Sequence, residues 1–185
     1  MIGRLAQVRR LTHRLWPSVL FLAVIHLLGC EAPEQRYHNH LTLRLSSNPT
    51  TLDPALITDV TGGSIAAKIF NGLVRFDDDL NIVPDIAESW QIAPDKRTYT
   101  FRIRKDASFS SGRTVTAGDF IFSFERVLDK KTKAPLTWVL DRIQGSRAFT
   151  EGKSEHLAGL SAPDDHTLII RLNRPFAPFL ALLGM

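Results

Sequence analysis

The sequence predicts a mixed α/β or α+β fold, on three observations. Residues 98–104, TYTFRIR, alternate with period two, so Tyr99, Phe101 and Ile103 share one face of a strand while Thr100, Arg102 and Arg104 share the other. Residues 167–172, TLIIRL, form a second strand, opened by the turn formers PDDH. Between them a helix carries Phe120, Phe124 and Val127 on one face, so strands and helices are interleaved.

The chain has 185 residues, of which 44% are hydrophobic and 23% charged, an ordinary globular balance. Its net charge of +4 is unevenly placed. Arg4, Arg9, Arg10 and Arg14 lie among the first thirty residues, which hold no acidic residue, and the remainder is balanced. The basic character therefore belongs to a targeting segment, and nucleic acid is not an expected partner. The apolar run from Val19 to Leu28 is shorter than the roughly 20 residues of a membrane span. It leads to the single cysteine, Cys30. One cysteine forms no internal disulfide and no multi-cysteine zinc site. Leu27-Leu28-Gly29-Cys30 resembles a bacterial lipobox, which implies cleavage before Cys30 and a lipid on its sulfur. Residues 1–29 are then a lipoprotein signal peptide, and residues 30–40 a lipidated cysteine with a polar tether. His38 and His40 in that tether lack fixed partners and do not make a metal site.

Residues 41–46, LTLRLS, alternate as a half-buried strand would, with Leu41, Leu43 and Leu45 on one face. The turn formers SNPTTLDP follow. Helical spacing of Ile65, Ala66, Ile69, Phe70 and Leu73 predicts a helix over 63–73, stopped by Asn71-Gly72. Asp77, Asp79, Asn81, Asp85 and Glu88 match the ligand spacing of an EF-hand loop. The position that needs glycine is Ile82, however, and Pro84 follows, so the stretch reads as an acidic hairpin turn. Ser111-Gly112 marks a turn, and Thr116 with Asp119 reads as a helix N-cap with a negative first turn. Residues 136–152 read as two helical pieces broken near Gly145. The run from Phe176 to Leu183 is apolar and helical. The chain stops inside it, and the expectation is that further chain follows and that the run is exposed here.

No G-x-S-x-G, G-x-G-x-x-G or P-loop occurs, and with Cys30 lipidated no free thiol remains. His156 and His166 lie in polar stretches and read as solvated. Asp164-Asp165 reads as a pair of turn formers. No catalytic residue, metal ligand or cofactor is expected, and the protein is not expected to be an enzyme.

From Leu41 to Leu183 the chain resembles the extracytoplasmic solute-binding proteins of family 5, which serve oligopeptide, dipeptide and nickel importers. The resemblance is carried by Ala87-Glu88-Ser89-Trp90, Asp95, the strand Tyr99 to Arg104, and Phe109-Ser110-Ser111-Gly112. It continues through Val115-Thr116-Ala117-Gly118-Asp119-Phe120 and Ser123-Phe124-Glu125-Arg126. Leu52-Asp53-Pro54 and Asp164-Asp165-His166-Thr167-Leu168 support it. The family usually has Asp-Gly where this chain has Asp95-Lys96, and an acidic residue where it has Ser111; both departures fall in turns.

The resemblance implies a periplasmic-binding-protein-like (type II) two-lobe α/β fold, of which only first-lobe segments and an extra subdomain are present. Residues 41–55 would begin the first lobe, 56–157 would form the extra α/β subdomain, and 158–185 would return to the first lobe. Trp90 and the Tyr99/Phe101/Ile103 face would build one side of a small sheet, covered by Phe109, Val115 and the Phe120/Phe124 face. The turn Ser47, Asn48, Pro49, Thr50 corresponds to one that approaches a peptide ligand, and Asn48 offers an amide both a donor and an acceptor. The implied function is the peptide-capturing, lipid-anchored component of an ABC importer, outside the cytoplasmic membrane, with the permease and ATPase as partners. The alternative is a truncated or repurposed lipoprotein of structural or signalling role, or a receptor for another ligand such as nickel.

Overall fold

A computed structural model describes residues 42–184. The signal segment, Cys30, the tether and Leu41 lie outside the described residues. The chain divides into two compact units, Met1–Arg44 and Leu45–Met185. Of the first, only residues 42–44 are described, and all three are exposed.

The second unit opens with an irregular segment and a helix, α1 (Val60–Ile69). Asp59 caps the helix, its Oδ1 accepting from the Gly62 N–H at 2.8 Å. The sequence placed this start three residues late, because Gly62 and Gly63 are poor helix formers. Ile69 and Phe70, expected on the buried face, are 56% and 48% exposed. A short hairpin follows, β1 (Val74–Phe76) and β2 (Ile82–Pro84). Its turn is tied by Asp77, whose Oδ1 accepts from the N–H groups of Asp79 at 3.0 Å and Asn81 at 2.8 Å. The acidic stretch is thus a hairpin turn, as the glycine-free sixth position required.

The main sheet contains β3 (Ala87–Ile92), β4 (Thr98–Ile103), β5 (Leu160–Asp164) and β6 (Thr167–Arg171). The order is β3-β4-β6-β5, antiparallel throughout. Helices and strands are both present, as the interleaving predicted, and the pairing within this sheet is antiparallel. Its core face is the predicted one: Tyr99, Phe101 and Ile103 are 3%, 0% and 1% exposed. Leu168 and Ile170 of β6 are fully buried beside them, and Trp90, paired with Phe101, is half-buried against the same cluster. Helix α2 (Ala117–Leu128) covers β5 and β6, with Phe120, Phe124 and Val127 packed on the core. Its start is the expected capping box: an Asp119 carboxylate oxygen accepts from the Thr116 N–H at 2.8 Å. Phe109 does not join the cover. It is exposed, with the Arg113 guanidinium 4.4 Å above its ring.

Between α2 and β5 the chain makes a 3₁₀ turn (Thr137–Val139) and a short helix, α3 (Ser146–Thr150), led by Gly145 at φ +86°. Gln144, Gly159 and Arg171 close a three-way ring of backbone hydrogen bonds: Gln144 N–H to Arg171, Gly159 N–H to Gln144, and Arg171 N–H to Gly159, at 2.7–2.8 Å. A Cβ on Gly159 would stand 2.5 Å from the Arg171 carbonyl oxygen, so only glycine fits there. Strand pairing runs straight across the division expected at residues 157 and 158: β6 lies between β4 and β5, binding the 158–171 segment into the sheet of the preceding residues.

Two further expectations fail. Residues 42–46 form no strand; Leu43 and Leu45 are 46% and 43% exposed. The alternation is present, but no described strand pairs with this segment. The run after Pro175 is not left uncovered: α4 (Phe179–Leu182) buries Phe179 completely, its ring 5.1 Å from that of Tyr99. The Tyr99 hydroxyl donates to the Phe176 carbonyl at 3.4 Å, and Arg142 lies 5.0 Å over the Phe176 ring.

Candidate functional site

The turn singled out by the sequence, Ser47 to Thr50, lies on the surface. Ser47, Asn48 and Thr50 are exposed and Pro49 is half-buried. Two hydrogen bonds fasten it to the start of α1. The Ser47 hydroxyl meets that of Thr61 at 2.9 Å, and the Thr50 hydroxyl donates to Asp59 Oδ2 at 2.7 Å. Asp59 thus serves helix and turn at once. The Gly62 N–H and the Thr50 hydroxyl hold its carboxyl below the ordinary carboxylate range. Asn48 makes no hydrogen bond among the described residues, and its side chain is exposed.

The next residues are clamped from a second side. Asp53 and Arg126 of α2 form a bidentate pair, Nη1–Oδ1 at 2.9 Å and Nη2–Oδ2 at 2.5 Å. The Arg126 hydrogen bonds, helped by the Ala55 N–H and opposed by desolvation, lower the Asp53 pKa. Sequence reasoning found both residues but did not join them, since 73 positions separate them. Phe122, one helical turn before Arg126, is 69% exposed, and Leu52 beside Asp53 is 48% exposed. Two exposed apolar side chains, Leu52 and Phe122, thus adjoin the Asp53–Arg126 pair in sequence.

A separate hollow of about 570 Å³ lies at the Ile103 end of the sheet, lined by Glu88, Arg102, Lys105, Asp164, Asp165 and His166. Two of its lining side chains, Asp164 and Arg102, are engaged with the β5–β6 hairpin. Asp164 accepts from the His166 N–H at 2.8 Å and the Thr167 hydroxyl at 2.9 Å, and Arg102 donates to Thr167 at 2.9 Å. His166 departs from the solvated reading, because its Nδ1 is buried without a partner. His156 is exposed as expected, 3.3 Å from Glu125. Among the described residues no group of three or more His, Cys, Asp or Glu is placed to hold a metal ion, and no described helix is long and apolar enough to cross a membrane.

The profile of the family described as bacterial extracellular solute-binding proteins, family 5 Middle, matches residues 81–185. The periplasmic oligopeptide-binding protein OppA of Haemophilus influenzae is 31% identical over 170 residues, covering 88% of this chain and 31% of that protein. The probable deoxycholate-binding periplasmic protein YgiS of Escherichia coli is 34% identical over 158 residues, covering 83% of this chain and 28% of that protein. Among solved structures, Haemophilus influenzae OppA in complex with RPPGFSPFR superposes with a TM-score of 0.70 at 33% identity, covering 74% of this chain and 27% of that one. The chain spans about a third of the length of these relatives.

Proposed function

Because the chain belongs to family 5 of the bacterial extracellular solute-binding proteins and has their periplasmic-binding-protein-like (type II) fold, we propose that it is part of the substrate-binding component of an ABC-type peptide importer. It captures peptides outside the cytoplasmic membrane and delivers them to the permease and its ATPase. The observation that carries this reading is the superposition on a peptide-bound oligopeptide-binding protein. The Ser47–Thr50 turn, held by Asp59 and followed by the Asp53–Arg126 clamp, contributes the Asn48 amide to the ligand backbone. Leu52 and Phe122 add apolar contact for side chains. The role is binding without chemical conversion. Residues 1–29 act as a signal peptide and Cys30 carries a lipid anchor, supported by the Arg-rich start and Leu27-Leu28-Gly29-Cys30.

The test is a hybrid in which residues 45–184 replace the aligned stretch of Haemophilus influenzae OppA. It should bind peptides, and Asn48→Ala in the hybrid should weaken binding. Loss of peptide binding in a hybrid that still unfolds cooperatively would overturn the reading, and deoxycholate binding in its place would move the ligand class toward that of YgiS. For the anchor, a labelled fatty acid should mark the wild-type chain and not Cys30→Ser; equal labelling of both would sink it.

A further inference from the structure

The segment that follows α2 concentrates positive charge. Lys130, Lys131 and Lys133 are all exposed. Backbone hydrogen bonds fold them into one tight turn: the Thr132 N–H donates to the Asp129 carbonyl at 3.0 Å, and the Lys133 N–H to the Lys130 carbonyl at 3.3 Å. Residues 129–153 hold six basic and three acidic residues, in a chain whose charge balances beyond residue 30. All three acids are engaged. Asp129 Oδ1 accepts from the Lys131 N–H at 2.9 Å. Asp141 pairs with Arg142 at 3.1 Å, and Glu151 with Arg147 at 2.8 Å and Lys153 at 2.7 Å. Among the described residues no ion pair takes up Lys130, Lys131 or Lys133. Arg147, then Lys153 and at longer range Lys130, hold the Glu151 carboxyl below the ordinary carboxylate range, so the lysine turn lies beside Arg147 and Lys153. Two apolar side chains follow that the core leaves out: Leu136 is 51% exposed and Trp138 48%, while their neighbour Val139 packs on the core.

We propose that the segment from Lys130 to Trp138 rests on an anionic phospholipid surface, with its lysines among the phosphates and Leu136 and Trp138 at headgroup level. Charge complementarity selects this occupant. Clustered lysines are drawn to an anionic bilayer within about a Debye length of its surface, and their ammonium groups reach phosphate while their stems lie along apolar surface. Tryptophan, with an apolar body and one N–H, suits the membrane interface. Single-stranded nucleic acid also matches lysine and tryptophan, but Leu136 offers a base no stacking face, whereas it adds to contact with lipid. That a membrane is at hand rests on the proposed anchor at Cys30; the chemistry of the segment does not. Such a contact would set how the anchored chain faces the membrane.

The experiment adds the full chain, produced in its own host, to vesicles that contain a phosphatidylcholine with a photo-reactive acyl tail. One set is phosphatidylcholine alone; the other holds equal parts of phosphatidylglycerol. After illumination the lipid adducts are mapped along the chain. Adducts at Leu136 or Trp138 should form on the anionic vesicles and be about tenfold fewer on the neutral ones. Replacing the three lysines together, Lys130→Gln, Lys131→Gln and Lys133→Gln, should lower the anionic yield by about tenfold or more, with the urea midpoint unchanged because all three are exposed. Added salt should lower the wild-type yield. Equal yields on the two vesicles, no adducts in this segment, or a yield indifferent to salt each overturns the proposal, and the salt series decides even if the triple variant folds poorly. Protection of the segment by a single-stranded oligonucleotide, with no lipid adduct, overturns it in favour of nucleic acid. Fatty-acid labelling of the same preparation separates the two levels of inference. Adducts here on a chain that takes no label keep the lipid-binding segment and remove the anchor. A labelled chain without adducts here removes the segment and leaves the anchor and peptide capture standing.

Discussion

Residues 98–103 and residues 42–46 carry the same alternating pattern and reach opposite states. In β4 the apolar face is buried, with Phe101 at 0% exposure, because β3 and β6 supply hydrogen bonds on both sides and Phe179 closes over Tyr99. In residues 42–46, Leu43 and Leu45 stay exposed at 46% and 43%. Alternation names the face that would be buried; it does not supply the neighbour that buries it. What holds the early part of the second unit is a set of polar ties, Ser47–Thr61, Thr50–Asp59 and Asp53–Arg126.

Three measurements sharpen that contrast. The largest effect is expected at Phe101. Phe101→Ala should cost about 3–5 kcal/mol in urea unfolding, the usual range for a buried aromatic ring. Thr100→Ala, on the opposite face, should cost far less, and comparable losses would mean that the strand face is misassigned. A smaller effect is expected at Asp53. Its native pKa lies below the ordinary 3.8 because Arg126 binds the charged form. The contribution is therefore complete above the unfolded-state pKa and is lost as pH falls through the native value. Asp53→Asn should lower the urea midpoint at neutral pH, and the gap from wild type should close on acidification below the carboxylate range. A gap independent of pH would show that the ion pair is not the source. The smallest effect is expected at Leu45: Leu45→Ala should change stability by no more than about 0.5 kcal/mol, as for an ordinary surface position. A core-sized loss there would mean that the segment packs as a strand after all.

Local chemistry explains what could be read in advance. The β4 and β6 strands, the Thr116–Asp119 cap and the break at Gly145 each declare themselves within a few residues. Lys96 shows how far such reading reaches. It takes the φ of +54° that a glycine would take in the Asp95 turn. The N–H groups of Arg97 and Thr98 hold the Asp95 carboxyl at about 2, so the turn survives the departure from Asp-Gly. What stayed hidden depends on distant partners. Strand β5, LSAPD, has no alternation to announce it and forms because β6 lies alongside. The burial of Phe179 needs Tyr99, and the clamp behind the candidate turn needs Arg126. The stretch from Ser47 to Thr50 was legible as a run of turn formers, and it follows an irregular, bent path; its two anchors were not legible, because nothing in the spacing links Thr50 to Asp59 or Asp53 to Arg126.

The central pairing of the sheet sets an order on events as the chain emerges. Arg102 and Thr167, neighbours across β4 and β6, are 65 residues apart in the chain. Until residues 167–171 have followed, β4 has only the β3 hairpin on one side and an open edge on the other, and the Gly159 ring cannot close. Contacts of such separation form slowly. The sheet therefore stays unfinished, with one edge of β4 unpaired, until its trailing strand arrives.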